Sequence, residues 1–118
     1  MNPVSKAEVH EPPPVVNGHS PCYLEYAARF EGNPRIQADI VARAQQGFLK
    51  YGTYLQPFNG RNVKMDIYQE LLDAGQYFEQ LLAELGRGHL KYPFWYNRSQ
   101  ELRNLIREIA MENPTKPL

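Results

Sequence analysis

The run from Asn62 or Val63 to Leu85 holds a helical apolar period with no proline to break it, and it limits the fold more than any other segment. At about 100° per residue, Ile67, Leu71, Ala74, Gly75, Phe78, Leu82 and Leu85 fall on one broad apolar face, as in a helix buried along one side. Gly75 inside that face costs about 1 kcal/mol of helix propensity relative to alanine, which close packing against a neighbouring helix would explain. Gly86-Arg87-Gly88 ends the helix.

A second helical pattern begins near Pro34. Asn33 brings a side-chain acceptor for exposed backbone amides, and Pro34 suits the first helical position, where its missing N–H costs nothing. Ile36, Ile40, Ala44 and Phe48 then recur on one face through Leu49, with Gly52 as the stop. Cys22-Tyr23-Leu24-Glu25-Tyr26-Ala27-Ala28-Arg29-Phe30 has room for a short helix whose aromatic rings cap a core. Beyond Gly88 an aromatic connector, His89-Leu90-Lys91-Tyr92-Pro93-Phe94-Trp95-Tyr96, leads to a third long helix. That helix is predicted to begin at Ser99, to turn Leu102, Leu105, Ile106 and Ile109 inward and to close before Pro114. No segment has a strand pattern of comparable quality. The expected fold is all-α: two long antiparallel helices and a third, in a bundle completed by oligomerisation as a homodimer or a dimer of dimers.

A chain of 118 residues fits one small domain. Residues 1–20 read as a flexible proline-rich arm, since five of the ten prolines fall there if Pro21 at the boundary is counted and no apolar period accompanies them. Residues 21–113 read as a single helical domain and residues 114–118 as a tail. The net charge is zero, from 13 basic and 13 acidic residues, which argues against an extended nucleic-acid surface while leaving room for a small phosphate site. Cys22 is the only cysteine, so neither an intrachain disulfide nor a thiolate metal cluster can form. The apolar runs fall far short of the roughly 20 residues needed to cross a bilayer, and the expected location is cytoplasmic.

The chemistry concentrates around one boundary. Asp66, Glu70 and Asp73 stand four and three residues apart, on a single stripe of the longest helix and bordering its apolar face. Carboxylate oxygens in that arrangement suit a hard cation such as Mg²⁺, with Mn²⁺ as a substitute, and an ordinary solvated acidic face has the same spacing. Before them runs Tyr51-Gly52-Thr53-Tyr54-Leu55-Gln56-Pro57-Phe58-Asn59-Gly60-Arg61. Asn59 and Gly60 tolerate left-handed backbone, where exposed amides receive anions, and Lys50 and Arg61 supply cations for a polyphosphate. Tyr51, Tyr54 and Phe58 suit either stacking on a base or packing of the loop over the helices. The spacing fits neither a dinucleotide fingerprint nor a phosphate-binding loop of nucleotide triphosphatases. His10 and His19 lie in the arm without companion ligands, His89 sits beside a helix end, Cys22 has no paired histidine nearby, and Trp95 suits packing.

Lys50-Tyr51-Gly52-Thr53-Tyr54-Leu55-Gln56-Pro57-Phe58-Asn59-Gly60-Arg61 followed by Asp66-Ile67-Tyr68-Gln69-Glu70-Leu71-Leu72-Asp73 resembles small bacteriophage proteins of the MazG-like type, in the all-alpha nucleotide pyrophosphohydrolase superfamily. The likeness covers about residues 37–85. It implies a helical oligomer in a phage-infected bacterial cell that uses Mg²⁺ to hydrolyse a nucleoside triphosphate to a nucleoside monophosphate and pyrophosphate. By this resemblance Glu70 and Asp73 are the catalytic and metal-binding pair; the stripe adds Asp66 as an assisting metal ligand, and the loop adds Lys50, Tyr51, Tyr54, Asn59 and Arg61 as candidate nucleotide-binding residues. The chain departs from the family on the preceding helix, where a Glu-x-x-Glu pair is expected and Gln37, Asp39, Arg43, Gln45 and Gln46 hold the polar positions. Three functions therefore stand: a pyrophosphohydrolase, a protein that binds nucleotides or nucleotide signals without cutting them, and a helical protein-interaction domain.

Overall fold

Asn33 and Asn62 each do the same local work at the start of a long helix. Asn33 accepts from the Ile36 amide, with Pro34 in the first turn, and opens α2 (Pro34–Tyr51); Asn62 accepts from the Met65 amide and opens α3 (Val63–Leu85). Gly52 at φ 76° and Gly86 at φ 79° end these helices, as expected of glycine past a last turn. A short α1 (Cys22–Ala28) precedes them and α4 (Tyr92–Met111) follows, and no strand occurs among the described residues. The computed structural model describes residues 12–115; His10, most of the arm and the end of the tail lie outside the described residues. Among the described residues the fold is all-α, with four helices.

The chain divides into two units at residues 61 and 62. This boundary lies inside the span 21–113 expected to form one domain. In residues 12–61, α1 packs on α2, and the Gln37 side-chain amide donates to the Ala27 carbonyl across the pair at 3.0 Å. Residues 12–20 have no helix or strand of their own but are hydrogen-bonded along the loop at 55–61. In residues 62–115, α3 packs on α4 as an antiparallel hairpin. As the α3 position rises through Asn62, Gly75 and Phe78, its partner falls through Pro114, Ile106 with Leu102, and Trp95.

Three expectations for this hairpin change. The last helix starts at Tyr92, well before Ser99, so residues 92–96 of the aromatic connector form its first turn. Pro93 is tolerated there because first-turn amides have no helical acceptor. Four-residue spacing then sets Tyr92 on Tyr96, 6.2 Å apart and stacked, and carries the Arg98 guanidinium over Phe94 at 5.0 Å. His89 assists, its Nδ1 accepting from the Lys91 amide at the helix entrance. Ile67 is not on the buried face: it is 46% exposed, while Met65, two residues earlier, is 0% exposed. Met65 and Leu82, the latter 6% exposed, are the buried side chains of α3.

Gly75 is not forced by tight packing. A Cβ built there meets Ile106 Cδ1 at 3.9 Å and Leu102 Cδ2 at 4.0 Å, ordinary van der Waals contact. Gly75→Ala should therefore stabilise the protein by about 0.5–1 kcal/mol through helix propensity and a less disordered unfolded chain, read as a higher urea midpoint with an unchanged slope. Met65→Ala should act in the opposite sense, costing about 2–5 kcal/mol because it empties a fully enclosed site, and a midpoint within error of wild type would contradict that packing role.

Candidate functional site

The candidate residues fall in both units and are taken unit by unit. In residues 12–61, the turn after α2 begins at Gly52 and enters the loop with Tyr54 already committed to packing. The Tyr54 ring lies 5.1 Å from Tyr23 and 4.8 Å from Phe48, centroid to centroid, both tilted. This aromatic set joins α1, α2 and the loop, and the Leu55 carbonyl accepts from the Cys22 amide at 2.8 Å, seating the start of α1. Tyr54 is thus a packing residue. Tyr51, by contrast, is 65% exposed at the end of α2, with the Lys50 ammonium 5.1 Å from its ring centroid. These two leave a cation and an aromatic surface open to solvent.

Asn59 is 8% exposed and holds the far end of the loop. Its side-chain oxygen accepts from the Arg61 amide at 3.1 Å, and its carbonyl accepts from the Val15 amide at 2.8 Å. Phe58 is in the left-handed region at φ 57°, and Gly60 follows at φ 83°. Those two conformations reverse the chain toward α3. Anion capture by this turn would compete with internal partners, since Asn59 already satisfies the Arg61 amide. Arg61 also donates from Nη1 to the Pro12 carbonyl at 2.9 Å.

Asn17 and Gln56 were not singled out by the sequence pattern, yet they hold the loop to the arm. The Asn17 side-chain amide donates to the carbonyls of Pro57 and Phe58 at 2.9 and 3.1 Å, and its oxygen accepts from the His19 amide at 2.9 Å. The available signal was the Asn17-Gly18 dipeptide, a turn former whose side chain bonds the backbone two residues on. The His19 ring lies 4.9 Å from that of Phe58, tilted, and Phe58 is otherwise open to solvent at 83% exposed.

In residues 62–115, the carboxylates share α3 as expected from their spacing. Glu70 and Asp73 are exposed, one helical turn apart, and have no ion-pair or hydrogen-bond partner among the described residues. Asp66 is half-buried in the first turn and is already engaged. Among the described residues no group of three or more histidine, cysteine and acidic side chains is placed to hold a metal ion. The donor set offered by α3 is therefore a carboxylate pair. Trp95 lies 6.2 Å from Phe78 and 5.2 Å from Phe94, centroid to centroid, which accounts for it as hairpin packing. No described helix is long and apolar enough to cross a membrane.

No protein-family model, curated protein or solved structure matches this chain significantly. The loop geometry makes its own prediction. Gly60→Ala puts a side chain on a backbone at φ 83° and a Cβ 3.3 Å from Val15 Cγ2, so it should destabilise residues 12–61. The left-handed conformation alone costs about 1–2 kcal/mol for an L residue, which a shift in the thermal midpoint would report.

Proposed function

We propose that the chain is a Mg²⁺-dependent nucleoside triphosphate pyrophosphohydrolase of the MazG-like type, with Glu70 and Asp73 at its metal. The observation that carries this reading is the pair itself: two exposed carboxylates one turn apart on α3, without a neutralising cation beside them among the described residues. Such a pair fits Mg²⁺ by donor type. This ion is commonly held by one or two carboxylates together with substrate phosphates, and it keeps its remaining positions for water. A third protein ligand is thus not required for a phosphate-bridged ion.

The bound ion would supply neutralisation of the polyphosphate and a polarised water. Glu70 and Asp73 would hold that ion, and a carboxylate of the pair would take the proton released as water attacks the α-phosphorus and pyrophosphate leaves. The products are a nucleoside monophosphate and pyrophosphate. Binding without hydrolysis is the second reading, favoured by one specific feature: Asp39 is the only acid along α2, where the resembled family carries a second pair.

Incubation with a panel of nucleoside triphosphates in Mg²⁺ or Mn²⁺, with products and retained nucleotide both resolved, separates the two. The hydrolase reading expects monophosphate plus pyrophosphate, reduced by about 10–100-fold or more in Glu70→Ala and in Asp73→Ala, because second-sphere metal partners already carry effects of that size. Intact nucleotide recovered from the denatured protein, with Mg²⁺-dependent affinity lost in the double variant, supports binding alone. Neither turnover nor retention would overturn both and leave a helical interaction domain.

A further inference from the structure

Residues 12–19 meet the loop at 55–61 in the manner of a peptide in a recognition site. Gln56 makes the pair of bonds by which a side-chain amide reads one residue's main chain: its Oε1 accepts from the Asn17 amide at 3.1 Å and its Nε2 donates to the Asn17 carbonyl at 2.8 Å. The same Nε2 donates to the His19 carbonyl at 2.6 Å. Either side of this contact, the Val15 amide donates to the Asn59 carbonyl and the Pro12 carbonyl accepts from Arg61. Main-chain groups of four residues spread over eight positions are thus taken up by one loop, and the Asn17 side chain returns two further bonds to Pro57 and Phe58.

Burial of apolar side chains is not what holds this segment. Val15 is 59% exposed and Val16 68% exposed, so the selectivity lies in main-chain groups and in the asparagine amide. Pro12-Pro13-Pro14 favours an extended lead-in with little conformational freedom to lose, the property that makes proline-led segments good ligands. Gly60 belongs to the site for a steric reason, because any side chain there would press on Val15.

We infer that residues 55–61 form a docking site for a proline-led segment, filled in cis by residues 12–19 and open to the same segment of a second copy when the cis arm is released. The site is independent of the nucleotide reading, although it engages Asn59 and Arg61, which were candidates for nucleotide contact. Its occupant is specified by chemistry: free main-chain N–H and C=O groups at one residue, an asparagine side chain on that residue, and prolines ahead of it.

The test uses the full chain and a fluorescent peptide with the sequence of residues 12–20, read by anisotropy. Wild type, with its own arm seated, should bind the peptide weakly. Asn17→Ala, which removes the arm's side-chain bonds, should bind it about tenfold or more tightly, and Asn17→Ala/Gln56→Ala should lose that gain. Amide exchange at Val15 should accelerate in Asn17→Ala by a comparable factor while the helical circular dichroism stays unchanged. Equal peptide affinity in wild type and Asn17→Ala, no binding by either, retained binding in the double variant, or an unchanged Val15 exchange rate would each overturn the inference. Should Asn17→Ala lose helical signal, Gln56→Ala alone decides: exchange at the Asn17 amide must rise about tenfold or the site is not what holds the arm.

Discussion

Backbone groups that helices and turns leave unpaired must find partners, and in this protein side-chain amides supply them at the entrances of α2 and α3 and along the arm and its loop. Asn33 and Asn62 cap the two long helices, Asn59 closes the loop on itself, and Gln56 with Asn17 fastens the arm. Asn62 acts twice, since its nitrogen also donates to the Pro114 carbonyl at 2.9 Å and so ties the entrance of α3 to the exit of α4. Apolar burial is concentrated by comparison: among the described residues Met65 and Leu82 are the buried apolar side chains of α3. A hairpin with so few enclosed side chains relies on its ends being fixed in register.

That economy shapes the functional surfaces. In the loop at 55–61 the Arg61 amide is taken by the Asn59 side chain, and the carbonyls of Pro57, Phe58 and Asn59 accept from the arm. What remains open in residues 12–61 is at the end of α2, where Lys50 and Tyr51 are exposed. In residues 62–115 the open chemistry is the Glu70 and Asp73 pair. An exposed carboxylate pair has little intrinsic cation affinity in water, so any divalent ion there would depend on phosphate oxygens to complete its shell. A phosphate ligand and the metal would then stabilise each other's binding, a linkage that makes Mg²⁺ dependence of nucleotide affinity the informative measurement.

The helices were legible because their signals are local. Asn33-Pro34, Gly52, Asn62 and Gly86 announce helix ends through capping and left-handed geometry, and the structure places those ends within a residue or two of expectation. Where neighbours decide, the pattern misled. Ile67 was expected inward from its period but is 46% exposed, and Met65, outside the expected face, is fully buried, while Gly75, Phe78 and Leu82 keep the inward side that the period gave them. The start of α4 was missed because Pro93 and a run of aromatics resemble a connector, whereas the first helical turn tolerates proline and the rings pair along the helix and onto Phe78. In the candidate site, the stripe of acids was readable from spacing, while the commitment of Tyr54 to an aromatic cluster was not, since it depends on Tyr23, which is distant in sequence.

The sequence by itself determined the all-α class, the two long helices and their caps, and the alignment of Asp66, Glu70 and Asp73 on one helix. Each follows from propensities and from a fixed rise and rotation per residue, which need no knowledge of partners. Tertiary structure decided which helix pairs with which, which side chains of α3 are buried, and that residues 12–19 lie bonded to a loop some 40 positions away. Those outcomes rest on side chains and carbonyls brought together by folding, whose mutual geometry no local pattern encodes.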